Sequence, residues 1–316
     1  MYELKPLFEQ RMKNLLGDKE NYEKFLEIAK SEPPRTIRCN TLKISPEELK
    51  SRLEAKGWKI RQPFSEYPEV MIVESVLQPG ELGKSIEHVL GYYYVQELSS
   101  MMPIIALAPK PGELVLDLCA APGSKTTQAS ALMNNQGTII ANDNKLDRIQ
   151  ILASNLERCG CMNVIVIRND GVQLCERLAR LNMKFDKILV DAPCSAEGNI
   201  RSNPKTLLMW NIKMIEKLSR MQKKLALSAF QLLKEDGEMV YSTCTHAPEE
   251  NEAVVDFLVR NFNAKVEKIN LPLKCSHGVT NWQNEKFDEQ ISSACRIYPQ
   301  DNNTEGFFIA KIKRCE

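Results

Sequence analysis

Two cysteines stand where a thiol can act on a bound molecule. Cys194 follows the apolar run KILVDAP and Cys244 follows GEMVYST. A thiolate is nucleophilic near neutral pH, adds to electrophilic carbon and can leave again. Carboxylates close other apolar runs: Asp143 ends GTIIAND, Asp170 ends NVIVIRND, and Asp191 lies three residues before Cys194. A carboxylate at the end of a strand can accept two hydrogen bonds from a ribose diol, the part that suits Asp143, and Asp170 is placed to meet an adenine edge. Either aspartate alone also reads as the cap of the next helix, but together they fit a nucleoside lying across three adjacent strands. The run ELVLDL leads into Cys119, Ala120, Ala121, Pro122, Gly123, Ser124 and Lys125. Its small residues let a ligand approach the backbone, and the helix that follows offers free amides and a positive dipole end. The loop is not a Walker motif, because Ser124 separates Gly123 from Lys125 and no glycine stands at the required earlier position. The dinucleotide pattern GxGxxG is missing as well.

The elements that must position these groups can be read from periodicity. Beyond Gly112, short Val/Ile/Leu-rich runs alternate with helical stretches, among them Lys145 to Cys159 and Ile212 to Lys234. That alternation predicts an α/β fold, a doubly wound and mostly parallel sheet whose ligands bind beyond the carboxyl ends of the strands. Cysteines at the ends of strands that neighbour each other in such a sheet lie within one or two strand spacings, about 5 Å each, of a single substrate. Spacing alone leaves open which of the two attacks. Ahead of this domain, Leu4 to Lys30 carries apolar residues three and four apart and is predicted helical up to Pro33 and Pro34. A small α/β module follows: strand-like TIRCNTL, a helix capped by Ser45 with Pro46 in its first turn, then strand-like WKIRQ and VMIVE. Pro109 and Pro111 mark the predicted boundary, giving domains 1–108 and 109–316.

Composition excludes several classes. The chain has 316 residues, 43% hydrophobic and 26% charged, which is neither disordered nor membrane-like. MYELKPLFEQRMKNLL lacks the apolar core of a signal peptide, so a cytoplasmic protein without a membrane partner is expected. Ten cysteines scattered through a chain of this size read as reduced thiols. Apart from Cys194 and Cys244, each is expected to be a small buried hydrophobe as a side chain, Cys275, Cys295 and Cys315 included. The only close pair, Cys159 and Cys161, and three dispersed histidines predict no metal. A net charge of +1 argues against holding nucleic acid by bulk charge, but Arg35 to Arg61 carries eight cations against three glutamates. Such a run is either an RNA contact, with Arg35 and Arg38 lining the path, or a solvated surface. Tyr92 to Tyr94 can stack bases or pack the core.

The motifs resemble those of the Sun (Fmu) family of RNA cytosine-5 methyltransferases. FDKILVDAPCSA fits the signature of that family, DLCAAPGSKTT resembles its cofactor motif and STC its catalytic motif; the similarity runs from about Pro34 to the C terminus. The resemblance implies a Rossmann-like methyltransferase fold with an RNA-recognition-like N-terminal module, and S-adenosylmethionine as cofactor. It assigns the nucleophile to Cys244 and the release step to Cys194. It also brings Lys125 to the methionine end of the cofactor or to the base, and Arg148 to the ribose. Asp191 would then hydrogen-bond the cytosine's ring nitrogen 3 and amino group. The chemistry agrees: carbon 5 of cytosine is a weak nucleophile until a thiolate on carbon 6 turns the ring into an enamine. Two positions depart from the family pattern, Ser124 where a second glycine is common and Gln300 where histidine is frequent.

Other functions are less consistent with these residues. A methyltransferase for exocyclic amines needs an Asn/Asp-Pro-Pro-Tyr cradle where this chain has DAPC. A silent RNA-binding assembly factor has no need of both cysteines. The compact N-terminal module resembles archaeal transfer-RNA members more than longer ribosomal ones, so transfer RNA is the expected partner, ribosomal RNA the alternative, and a monomer the expected state.

Overall fold

The computed structural model describes residues 4–314. Cys315, expected to be buried, lies outside the described residues. The chain opens with α1 (Pro6–Leu16) and α2 (Lys19–Ile28), then β1 (Arg35–Cys39), α3 (Pro46–Glu54), β2 (Ile60–Arg61) and β3 (Val70–Val73). Two short turns, α4 (Glu81–Lys84) and α5 (Ile86–Val89), precede β4 (Tyr93–Val95) and α6 (Leu98–Leu107). The alternating region holds β5 (Leu114–Asp117), α7 (Ser124–Leu132), β6 (Thr138–Asp143), α8 (Leu146–Cys159), β7 (Val164–Arg168), α9 (Gly171–Arg180) and β8 (Phe185–Asp191). After α10 (Thr206–Met209) come α11 (Ile212–Phe230), β9 (Leu233–Thr243), α12 (Glu252–Phe262), β10 (Ala264–Glu267) and β11 (Ser276–His277). The hairpin β12 (Asn281–Trp282) and β13 (Glu285–Lys286), then β14 (Cys295–Ile297), α13 (Pro299–Asn302) and β15 (Phe307–Arg314) complete it.

The large sheet runs β11-β14-β15-β9-β8-β5-β6-β7, and β10 pairs with β15. Strands β5 to β9 pair in parallel, whereas β15 joins β9 antiparallel. The order reverses at β5, which has β6 on one side and β8 on the other, so the crevice for a ligand opens beyond the ends of β5 and β8. Apolar side chains fill both faces of this sheet. Leu116, Ile188 and Tyr241 pack on α9, α11 and α12, while Val115, Leu189 and Val240 pack against α6 and α7. This double burial is why the strands read as continuous apolar runs instead of alternating ones. The small strands β10 to β14 are too short to leave such a signal.

The first four strands form a separate antiparallel sheet in the order β2-β3-β1-β4. Ser45 caps α3 through the amide of Glu48 at 3.1 Å, as its spacing predicts. The helices α1 and α2 bury Phe8, Met12 and Phe25 against Trp210, Ile215 and Tyr298, far along the chain. Gln300 lies in α13, which packs on α2.

Two expectations are corrected. Arg38 does not line an RNA path: it is 2% exposed, and it donates to Gln96 Oε1, the Ser124 carbonyl (2.7 Å) and Thr127 Oγ1 (2.8 Å). It fastens β1 to the start of α7, because a buried guanidinium must find acceptors wherever the fold supplies them. The thiols are not all free either, since Cys275 and Cys295 are joined in a disulfide across 20 residues. Strand pairing of β11 with β14 brings these two together. Tyr93 is buried in the small module's core, and Tyr94 lies between the guanidinium groups of Arg38 (5.5 Å) and Arg158 (5.6 Å), so packing takes both rings.

Candidate active site

The two sulfurs meet. β8 and β9 are hydrogen-bonded neighbours, so the loops leaving their carboxyl ends place Cys194 Sγ 3.3 Å from Cys244 Sγ. The thiol hydrogen bond with Cys244 and, next, burial push the Cys194 thiol well above the usual range. Asp191, at the end of β8, accepts from Lys125 Nζ at 2.8 Å and from Ser242 Oγ at 2.7 Å. Lys125 also donates to Ser100 Oγ at 3.0 Å and lies over the ring of Phe307. The first turn of α7 thus reaches across the switch point to the end of β8, the strand that leads to Cys194.

Two cavities adjoin this cluster, of about 720 and 760 Å³, and Cys119 lines both. The first is lined by Lys125, Asp191, Cys244 and Phe307, together with Ala120, Ala121, Pro122 and Ser124 of the small-residue loop. The second is lined by Asp143, Arg148 and Asp170. Asp143 accepts from the Lys145 amide at 3.1 Å and pairs with Arg148 at 3.1 Å, while Arg148 also donates to the Ala121 carbonyl. Asp170 caps α9 through the amides of Val172 and Gln173, both at 3.1 Å. Gly123, at φ +105°, has the left-handed backbone that lets the chain turn into α7. The structure therefore gathers the predicted groups, but splits them between two cavities that share Cys119 in their walls: thiols, Asp191 and Lys125 in or beside one, the strand-end aspartates and Arg148 in the other.

Some residues escaped the sequence reading. Asp117 ends β5, and burial raises its carboxyl to about 7; Thr126 Oγ1 donates to Oδ2 at 2.7 Å while the buried Oδ1 has no protein partner. Glu250 and Asn251 hold the two cysteine loops together. Glu250 Oε2 accepts from the Ser195 amide (3.0 Å) and from Gln222 Nε2 (2.8 Å), and Gln222 also donates to the Pro193 carbonyl at 2.9 Å. Asn251 Nδ2 donates to the Thr245 carbonyl at 2.9 Å, and the Ser195 and Thr245 hydroxyls meet at 2.7 Å. Their signal was the polar run PEEN between a strand and an apolar helix, where a solvated turn would serve equally well. Close backbone packing completes the frame: the Gly198 amide donates to the Cys244 carbonyl at 2.9 Å, and a Cβ there would lie 2.3 Å from the Gly306 carbonyl oxygen.

Comparison with known proteins shows the family to which the chain belongs. Residues 104–313 match the family described as 16S rRNA methyltransferase RsmB/F, and residues 4–98 match the N-terminal domain of 16S rRNA methyltransferase RsmF. The chain belongs to this family of S-adenosylmethionine-dependent RNA (cytosine-5) methyltransferases. It is 46% identical over 279 residues to the tRNA (cytosine(49)-C(5))-methyltransferase of Pyrococcus abyssi, covering 88% of each chain. It is 38% identical to the ribosomal RNA small subunit methyltransferase F of Psychromonas ingrahamii, where 97% of this chain spans 62% of the relative's length. Among solved structures, NSun6 from Pyrococcus horikoshii with SFG superimposes with a TM-score of 0.83 at 27% identity, covering 98% of this chain and 97% of that one. A methyltransferase homolog from the same organism superimposes at 0.83 with 34% identity, covering 99% of this chain and 100% of that one.

The residues present suit the cofactor of this methyltransferase family. Asp117 Oδ1 and Asn142 Oδ1 are buried acceptors without protein partners, one lining each cavity, as the ammonium and hydroxyl donors of S-adenosylmethionine require. No helix among the described residues is long and apolar enough to cross a membrane.

Proposed function

We propose that this chain methylates carbon 5 of a cytosine in transfer RNA, acting as a cytoplasmic monomer, with 1–108 as its RNA-binding module and 109–316 as its methyltransferase domain. One observation carries the mechanism: the sulfurs of Cys194 and Cys244 lie 3.3 Å apart, but only Cys244 lines the cavity shared by Lys125 and Asp191. The cytosine is flipped out of its RNA into that cavity, because a stacked and paired base hides the face a thiolate must attack. Cys244, as the thiolate, adds to carbon 6. Asp191, held by Lys125 and Ser242, faces the ring nitrogen 3 and the amino group and favours electron flow toward carbon 5. The bound cofactor supplies an electrophilic methyl group on a sulfonium; Asp143 and Arg148 hold its ribose, Asp170 its adenine, and the Cys119 to Lys125 loop its methionine end.

After carbon 5 has accepted the methyl group, the proton on it is removed, the double bond between carbons 5 and 6 re-forms, and Cys244 leaves as the thiolate. Cys194 serves this step. Its sulfur, 3.3 Å from the attacking one, stands beside the adduct and takes the carbon-5 proton as a thiolate.

Transfer RNA is favoured over ribosomal RNA because the relative named a tRNA (cytosine(49)-C(5))-methyltransferase is 46% identical to this chain, against 38% for the ribosomal RNA methyltransferase. Labelled S-adenosylmethionine incubated with transfer-RNA and small-subunit ribosomal-RNA transcripts tests this, with bisulfite sequencing to locate the mark. Label on a transfer-RNA cytosine is expected. Label confined to ribosomal RNA would move the substrate, and no label on either would return the chain to an assembly factor.

A further inference from the structure

The cations that the sequence run Arg35 to Arg61 offered to RNA are largely spent within the fold. Arg52 and Lys56 pair with Glu87, Lys59 and Arg61 pair with Glu74, and Lys43 donates to carbonyls. A different element is basic and unpaired. α11 carries five cations against the single carboxylate of Glu216. Four of them, Lys213, Lys217, Arg220 and Lys224, follow at intervals of four, three and four residues, which is one stripe of a helix about 16 Å long. All four are exposed, and among the described residues none forms an ion pair. Lys217, Arg220 and Lys224 line the mouth of the cavity that holds Asp143 and Asp170.

Such a stripe is out of place if the cavity were its only customer. S-adenosylmethionine carries a sulfonium and an ammonium against one carboxylate, so it is net positive, and cations at its doorway repel it. Row and doorway become compatible when a polyanion covers them. We propose that the α11 stripe is a phosphodiester-binding surface that seats the RNA backbone across the mouth of the cofactor cavity, beside the cavity that receives the target base. This deepens the RNA-substrate reading above and rests on it. The position is geometrically apt: α11 connects β8 to β9, so its first turns start at the sheet edge where both cysteines stand.

The test is the triple variant Lys217→Gln/Arg220→Gln/Lys224→Gln, with binding of a transfer-RNA transcript measured from about 50 to 200 mM salt. Each phosphate contact contributes about 0.7 to 0.9 to the slope of log affinity against log salt, so losing three should lower the slope by about 2 to 3. A control pair, Lys59→Gln/Arg61→Gln, removes two charges instead of three, at residues that share an ion pair with Glu74, and should leave the slope nearly as it was. An unchanged slope in the triple variant, or an equal fall in the control, overturns the surface. If the unaltered protein itself binds RNA without salt dependence, the RNA-substrate reading fails first and is seen to fail separately. Weakened cofactor binding with an intact RNA slope would assign the stripe to the cofactor and also overturn the proposal.

Discussion

Replacing Cys194 by alanine separates the two thiol roles more sharply than any other change. The Cys194→Ala enzyme retains Cys244 in its cavity, so addition to carbon 6 and methyl transfer remain open, while the sulfur 3.3 Å away that serves elimination is gone. A positioned proton-transfer group contributes about 10²- to 10⁴-fold, or about 3 to 5 kcal/mol of barrier. If turnover is on the order of 10 per second, the methylated adduct that normally survives for about 0.1 s would persist for about 10 to 1000 s. That is long enough to denature the sample and load a gel. Radiolabelled RNA incubated with cofactor and each variant should show a slow covalent band for Cys194→Ala, whereas Cys244→Ala and the double variant, lacking the nucleophile, should show none. Cys194 is only half-buried, so the loss of one sulfur should disturb the fold little, which a circular dichroism spectrum checks. An adduct in Cys244→Ala and none in Cys194→Ala would show the roles reversed. Unimpaired methylation in both variants would remove this pair from the chemistry.

Two further outcomes follow from the geometry. Asp143→Ala should weaken S-adenosylmethionine binding by about 1 to 3 kcal/mol, since it removes hydrogen bonds from a charged acceptor and frees Arg148; unchanged affinity by calorimetry would refute the ribose assignment. Glu250 is raised by burial to about 7 from an ordinary 4.5, so between those values the folded chain keeps a proton that the unfolded chain has lost. Stability should therefore fall as pH rises through that window and level off above it, and Glu250→Gln should abolish that part of the fall, at most about 3 kcal/mol. Asp117 contributes in the same direction, so the difference between wild type and variant isolates Glu250. Denaturant unfolding at pH 5 to 8 with parallel curves for the two proteins would show that Glu250 is not the group responsible.

The elements of the larger sheet were legible because burial on both faces writes itself locally, as in KILVD and TIIAND, and because ligands of such sheets gather at strand ends. Asp143, Asp170, Asp191, Cys194 and Cys244 could be picked out on that ground before any coordinate was known. Pairing partners could not. Glu74 and Glu87 come from beyond the basic run to pair with Lys59, Arg61, Arg52 and Lys56, and Arg38 turns inward to grip α7 because Gln96, Ser124 and Thr127 arrive there from distant segments. The Cys275–Cys295 bridge likewise depends on the pairing of β11 with β14. Glu250 and Asn251 looked like a polar turn until β8 and β9 brought two cysteine loops over them. Periodicity is a property of neighbours along the chain, so sequence determines it; burial of a charge, the sum of a charged surface and the meeting of two sulfurs depend on contacts between remote residues, and only the folded arrangement decides those.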